Sequence, residues 1–316
     1  MSLESKIPLL KDRASMLYQA RLFFSTLDLC EVDTPILSSS APIDLHIDIM
    51  QTTMHDGKNG YFHSSPEYAM KRLIAAGMES IYQISHVYRF GEEGRLHNPE
   101  FTMVEWYKTP CPFLQIIEDT LAFIHIFLGK MPIEYMSYKD LIYQFTGLTH
   151  ATASTEQLAS YIKAHSEGYP RDLDLWDKDT LLQYIVSFCI EPSLGQKGLF
   201  VLSYFPASQA GLSQLTTYQE ELVAERFEIY FHGIELANGY HELTDPVEQR
   251  KRLESANLQR MQIGKQPLPI DEKFIQALEK GLPDCSGVAV GFDRLMMLRH
   301  GKQSLSEAIP FAWHEL

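Results

Sequence analysis

The chain has 316 residues, 45% of them hydrophobic, and its 17 Phe and 16 Tyr can fill a sizeable core, so one large domain or two ordinary ones is expected. A net charge of −14 argues against a protein built to grip long stretches of phosphate backbone, because counterion release drives such binding at a basic face. Cys30, Cys111, Cys189 and Cys285 form no CxxC pair, MSLESKIPLL is no basic-then-apolar leader, and no apolar run spans a bilayer, so a cytoplasmic protein with free thiols and no membrane partner is expected.

Residues 11–29 predict a helix, since Met16, Ala20, Phe23, Phe24 and Leu27 recur at spacings of three and four. EVDTPIL, 31–37, reads as a short strand with Pro35 near its end, where proline is tolerated. In YFHSSPEYAMKRLIAAG, Ser65 before Pro66 marks a helix N-cap and Gly77 its C′ stop. SIYQISHVYRF alternates as a strand, FGEEGRLHNP is a loop, and 100–107 returns as the second arm of a long hairpin. A helix is expected over 112–130. Residues 131–215 carry helical patches near 155–165 and 178–190 and a strand in GLFVLSYF, with no nameable motif. ERFEIYFHGIELANGYHEL, 225–243, reads as two strands joined at His232-Gly233. Helices follow at 246–262 and 271–281, and GVAVGFDRLMML is a glycine-bounded strand running into a helix. Long hairpins among separate helices predict an α+β fold with a mostly antiparallel sheet flanked by helices.

Alternation in the hairpin arm puts Phe101, Met103, Glu105 and Tyr107 on one face and Thr102, Val104 and Trp106 on the other. Glu105 taken alone reads equally well as a solvated residue. Arg89 and His97 flank the loop and suit a polyphosphate, with Phe101 as an aromatic face for a base; the competing reading of Arg89 is an ion pair with Glu92 or Glu93. In the second hairpin, strict pairing from the His232-Gly233 turn sets Tyr230 against Glu235 and Glu228 against Ala237. Glu228 and Glu235 are then diagonal neighbours that Mg²⁺ could bridge to a phosphate, or two exposed acids. Strict alternation places Asn238, Tyr240 and Glu242 on the opposite face unless a bulge near Gly239 re-aims them. Arg294 opens the last helix, where it either stacks on a planar ring or is a surface arginine. No P-loop, Rossmann fingerprint, HExxH or GxSxG occurs.

Together these stretches resemble the catalytic domain of class II aminoacyl-tRNA synthetases, and within them the lysyl branch. EVDTPIL is similar to motif 1 (about 31–37), YRFGEEGRLHNPEFTMVEWY to motif 2 (about 81–107) and GVAVGFDRLMML to motif 3 (about 287–298). SSPEYAMKRLIAAG and FEIYFHGIELANGYHELTD match further lysyl-type signatures. The resemblance implies one catalytic domain over 1–316, ATP as substrate with Mg²⁺, and a homodimer through motif 1. Catalysis is assigned to Arg89 and Arg294. ATP binding is assigned to Arg89, Glu92, His97, Asn98, Phe101, Glu235 and Arg294, with Phe101 and Arg294 sandwiching adenine. Glu228 and Glu235 are implied to hold the metal. Ser65, Glu67, Glu105, Tyr107, Asn238, Tyr240, Glu242 and Ala289 are implied to line the amino-acid pocket, whose acids suit a doubly cationic substrate.

Two features depart from a lysyl-tRNA synthetase. The match begins near residue 10, leaving no room for an anticodon-binding domain, and Ala289 stands where the synthetases carry glycine. Both features resemble the branch that activates (R)-β-lysine and ligates it to a lysine of translation elongation factor P, so that partner is expected and extended tRNA binding is not. The alternatives are a truncated lysyl-tRNA synthetase charging tRNA and a non-catalytic synthetase-like regulator. The motif 2 strand ends Arg89-Phe90-Gly91 where the family has Arg-Asn-Glu, so Gly91 replaces an acid and Glu92 is the candidate to serve in its place.

Overall fold

A computed structural model describes residues 3–316. In chain order the elements are α1 (Leu3–Thr26), β1 (Cys30–Glu31), β2 (Leu37–Ser38), β3 (Gln51–Thr53), β4 (Asn59–Phe62), α2 (Glu67–Ala75), β5 (Ile81–Tyr88), β6 (Glu100–Lys108) and α3 (Phe113–Leu128). Then come β7 (Ile133–Ser137), α4 (Tyr138–Thr146), α5 (Thr155–His165), α6 (Lys178–Tyr184), β8 (Leu199–Pro206), β9 (Leu215–Tyr218), β10 (Glu221–Phe231) and β11 (Ile234–His241). The chain closes with α7 (Pro246–Gln262), α8 (Glu272–Gly281), β12 (Ser286–Gly291) and α9 (Phe292–Arg299). Two compact units result, one of Met1–Gly129 with His241–Leu316 and one of Lys130–Tyr240.

In the first unit, strands run in the order β1-β5-β6-β12, antiparallel except for β1 on β5. The pleat of β6 sends Trp106 to one face, where it meets Phe24 of α1 and Phe123 of α3, while Phe24 stacks on Tyr82 with centroids 4.2 Å apart. This aromatic core frees the opposite face of β6 for Glu105 and Tyr107. A small sheet, β2-β4-β3, lies in the same unit. Helix α1 starts well before its apolar stripe predicts and carries Pro8 inside. Tertiary contacts hold those early turns, since Lys6 is buried against Glu315 (2.9 Å) and the Pro310 carbonyl (3.3 Å).

The strand expected over 31–37 shrinks to its two ends. Between them Val32 N–H still donates to the Tyr82 carbonyl and Thr34 N–H to the Gln83 side chain, but Pro35 has no N–H with which to continue a ladder. Helix α2 begins at Glu67 with Pro66, not Ser65, at its N-cap. The Ser65 hydroxyl nonetheless accepts the Glu67 N–H at 3.1 Å.

The second unit orders its strands β11-β10-β8-β7, with β9 on the other part of β10 and β7 parallel to β8. Leu141, Ile142, Leu158, Ile162, Leu181 and Ile185 from the helical segments share its core with Phe200 and Leu202 of β8. The expected helical patch at 178–190 is α6 followed by a π-helical stretch, Ile185–Ile190. His232 and Gly233 both take positive φ, 51° and 70°, as a two-residue hairpin turn of the primed type requires. Phe231 pairs with Ile234 and Tyr230 with Glu235 as expected, but the register then shifts. Ile229 faces Ala237 and Glu228 faces Asn238, so Leu236 is the extra residue and Glu228 does not face Ala237. The bulge lies at Leu236, not at Gly239, and turns Asn238 and Tyr240 onto the face that carries Glu228.

Candidate active site

Three elements of the first unit build an acidic pocket. Strand β6 presents Glu105 and Tyr107, and the Tyr107 hydroxyl donates to Glu105 Oε1 at 2.6 Å. Ser65, just ahead of α2, donates its hydroxyl to the other oxygen at 2.8 Å. Strand β12 supplies the wall: Ala289 faces Glu105 and Gly287 faces Tyr107 in register. A Cβ at Gly287 would collide with the Tyr107 ring and with Glu242 Oε1, so glycine lets these two side chains converge against β12. Glu105 is 2% exposed, which removes the solvated reading.

Lys71, which sequence reasoning passed over, is fully buried and bridges two of the acids. Its Nζ lies 2.6 Å from Glu67 Oε1, one helical turn earlier on α2, and in direct contact with Glu242. The Glu67/Lys71 spacing of four was the available signal. Burial alone would strip the proton from Lys71, but Glu242 and Glu67 outweigh it and raise the pKa. Burial raises Glu105 to about 7, with Glu67 adding to it and the Tyr107 and Ser65 hydroxyls opposing. Burial also raises Glu242, against the pull of Lys71. The direct ammonium contact favours the ionised Lys71–Glu242 pair, leaving Glu105, which has only hydroxyl partners, as the acid that titrates near neutrality.

The motif 2 loop forms a second cluster in the same unit. The Arg89 guanidinium sits 5.0 Å from the Phe101 ring centroid and 3.7 Å from Glu92, so the expected ion pair with Glu92 is present. Glu92 also approaches His97 at 3.8 Å, and Arg294 Nη2 meets His97 Nε2 at 3.0 Å. Arg89 Nε and Glu92 Oε2 are both buried without a hydrogen-bond partner. Desolvation, then the Arg294 and Arg89 charges, lower the His97 pKa against the pull of Glu92. Gly91 adopts φ +75° and turns the chain so that Glu92 reaches back to Arg89. Asn98 is committed elsewhere: its amide donates to the Glu100 carbonyl and accepts the Trp313 N–H, pinning the loop to the C-terminal segment.

In the second unit, the shifted register gathers Glu228, Asn238 and Tyr240 on one face. Glu228 accepts from Arg226 Nη2 (2.5 Å), Asn238 Nδ2 (3.2 Å) and the Tyr230 hydroxyl. Arg226 lies over the Phe205 ring at 4.4 Å, and neither it nor Tyr230 was anticipated as a partner of Glu228. No group of three or more His, Cys, Asp or Glu side chains converges for a metal among the described residues. With three protein donors on Glu228, the pair Glu228 and Glu235 does not make a protein cage; it fits Mg²⁺ only in the manner of one or two carboxylates completed by substrate phosphates. All four cysteines are free, and among the described residues no helix is long and apolar enough to cross a membrane.

A family model for class II tRNA synthetases (D, K and N) matches residues 4–315. Proteins named Elongation factor P--(R)-beta-lysine ligase are similar along nearly the whole length. The one from Pasteurella multocida is 38% identical over 304 residues, covering 95% of this chain and 93% of the relative. That from Haemophilus influenzae is 40% identical over 305 residues (95% and 93%), and that from Haemophilus ducreyi 39% over 312 (97% and 94%). The expected α+β architecture, the antiparallel-dominated strands and these matches agree: the chain belongs to the class II tRNA synthetase (D, K and N) family.

Proposed function

We propose that this chain is an ATP-dependent ligase that activates (R)-β-lysine as an aminoacyl-adenylate and joins it to a lysine side chain of translation elongation factor P. The observation that carries the reading is the buried Glu105 and Glu242 with the half-buried Glu67 around the buried Lys71, and Ala289 facing Glu105. Such a set of carboxylates offsets the desolvation of a dication. The name carried by relatives at 38–40% identity supports the substrate and the partner.

The substrate carboxylate attacks the α-phosphorus of ATP in line, forming the mixed anhydride and releasing pyrophosphate. The protein-bound lysine amine then attacks the activated carbonyl, AMP leaves, and the amine gives up a proton to form the amide. No protein nucleophile is required, so catalysis rests on positioning and on charge stabilisation. In this reading Arg89 meets the α-phosphate, His97 the distal phosphates, and Phe101 with Arg294 the adenine, while Glu92 replaces the missing motif 2 acid. Asn98 shapes the loop from behind. Ser65, Tyr107 and Ala289 complete the amino-acid pocket with the three glutamates. Mg²⁺, when bound with ATP, offsets phosphate charge, with Glu235 and Glu228 as the acids proposed to meet it.

We read residues 1–316 as one catalytic domain, supported by a family match running through both compact units. A homodimer is supported by apolar side chains left exposed on α1 and motif 1: Leu3, Ile7, Tyr18, Leu22, Ile36 and Leu37. Cytoplasmic residence and the absence of extended tRNA binding follow from the same reading, the latter supported by the net charge of −14. ATP–pyrophosphate exchange with (R)-β-lysine and α-lysine side by side tests it, followed by transfer to elongation factor P read as the added mass of one lysyl group. Exchange with α-lysine alone favours a tRNA-charging enzyme, and exchange with neither a non-catalytic role.

A further inference from the structure

We infer that Lys71 is a positioning residue for the reaction proposed above, on which this inference rests: it sets the net charge of the acidic pocket to the value that a doubly cationic amino acid neutralises. Once Glu105 gives up its proton, at about pH 7, Glu67, Glu105 and Glu242 bring three negative charges and Lys71 one positive, a formal balance of −2. A diamino acid brings two ammonium groups, and its carboxylate loses its charge in the mixed anhydride. Lys71 is suited to a fixed charge because it is fully buried, held from both sides by Glu67 and Glu242, and lies 5.9 Å from the Tyr107 ring centroid.

The titratable groups facing it are few. Helix α2 contributes Glu67 and Tyr68, whose phenol burial pushes well up, β6 contributes Glu105 and Tyr107, and Glu242 and Cys285 flank β11 and β12. Burial raises both the Tyr107 phenol and the Cys285 thiol, the latter also feeling Glu242 and Asp284, so neither ionises near neutral pH. Three carboxylates therefore share the balance. Without Lys71 they would carry −3 in a water-poor space, and one would take up a proton that the arriving ammonium must displace. Lys71, in direct contact with Glu242, thus keeps that carboxylate ionised before substrate arrives. A lysine that merely ties α2 to Glu242 would affect stability and leave the proton count of binding unchanged.

Calorimetric titration of (R)-β-lysine into the full chain at pH 7, in two buffers of different ionisation enthalpy, counts the protons released. Lys71→Met is expected to release about one more proton per ligand than the wild type and to raise the KM for (R)-β-lysine roughly tenfold or more, with kcat changed far less. Lys71→Arg, which keeps the charge, should return the count toward the wild-type value. Lys71→Gln, which keeps hydrogen bonding without the charge, gives the same reading should Lys71→Met not fold. Wild-type proton release and KM in the charge-less variants, with exchange intact in the wild type, would overturn the role of Lys71 and leave the function standing. If the wild type binds neither (R)-β-lysine nor α-lysine, the functional reading itself fails and this inference falls with it.

Discussion

The Tyr107 hydroxyl donates to Glu105 Oε1 at 2.6 Å, from two places along the same face of β6. A phenol in this position fixes the carboxylate rotamer and supplies the partner of Glu105 Oε1, while Ser65 holds the other oxygen. Tyr107→Phe removes it and orphans one buried carboxylate oxygen. The KM for the amino acid should rise roughly ten- to a hundredfold, the range for a hydrogen bond to a charged group, while the KM for ATP stays near wild type. Exchange kinetics at varied amino acid and varied ATP separate the two.

The proposed role of Glu105 in substrate recognition is set against its cost to stability. The folded chain holds its proton up to about pH 7, whereas the unfolded chain releases it near the ordinary carboxylate value of 4.5. Between those values the folded state binds more protons, so its stability declines as pH rises, by up to about 3 kcal/mol from this residue. Glu105→Gln should remove the decline. Thermal melts should show it more stabilised relative to wild type at pH 8 than at pH 5, and amino-acid-dependent exchange should be lost. Equal shifts at both pH values would count against a raised pKa.

The same titration governs binding. The pocket accepts a dication best with Glu105 ionised, so the wild-type affinity for (R)-β-lysine should rise with pH through about 7 and level off above it. A flat profile from pH 6 to 8 would show that Glu105 is already ionised in the free enzyme.

Ala289 faces Glu105 across the β6–β12 pair, so its methyl narrows the pocket beside the acid. Ala289→Gly should move the ratio of kcat/KM toward α-lysine by roughly tenfold or more, as one methyl at a pocket wall is worth about 1–3 kcal/mol. An unchanged ratio would leave isomer preference to other residues.

Glu92, proposed to serve in place of the acid that Gly91 lacks, has one buried oxygen without a hydrogen-bond partner near Arg89 and His97. Glu92→Gln should raise the KM for ATP by about tenfold with little effect on the amino-acid KM. A wild-type KM for ATP would make Glu92 a passive counterion of Arg89.

Most of this architecture was legible in the residues. Periodicity delivered α3, β5, β6, β8 and α7 nearly to the residue because each carries a single unambiguous pattern. The strand over 31–37 was drawn too long, since extended conformation does not guarantee a ladder where Pro35 lacks a donor. The bulge escaped because Leu236 is an ordinary strand residue; nothing local marks it as the one left unopposed. Lys71 escaped for a different reason. A lysine four residues after a glutamate usually signals a solvated helix face, and only the arrival of Glu242, remote in sequence, turns that pair into a buried triad.

The bulge at Leu236 makes the second hairpin a matter of parity. Side chains on a strand alternate, so the count of residues between the His232-Gly233 turn and Asn238 decides which side Asn238 and Tyr240 present. Substitutions along this stretch change what a position contributes, but the loss or gain of one residue inverts every position beyond it. The face is therefore more tolerant of drift in chemistry than of drift in length, and natural variation in β11 should consist of exchanges, with insertions and deletions confined to the turn or to compensating pairs.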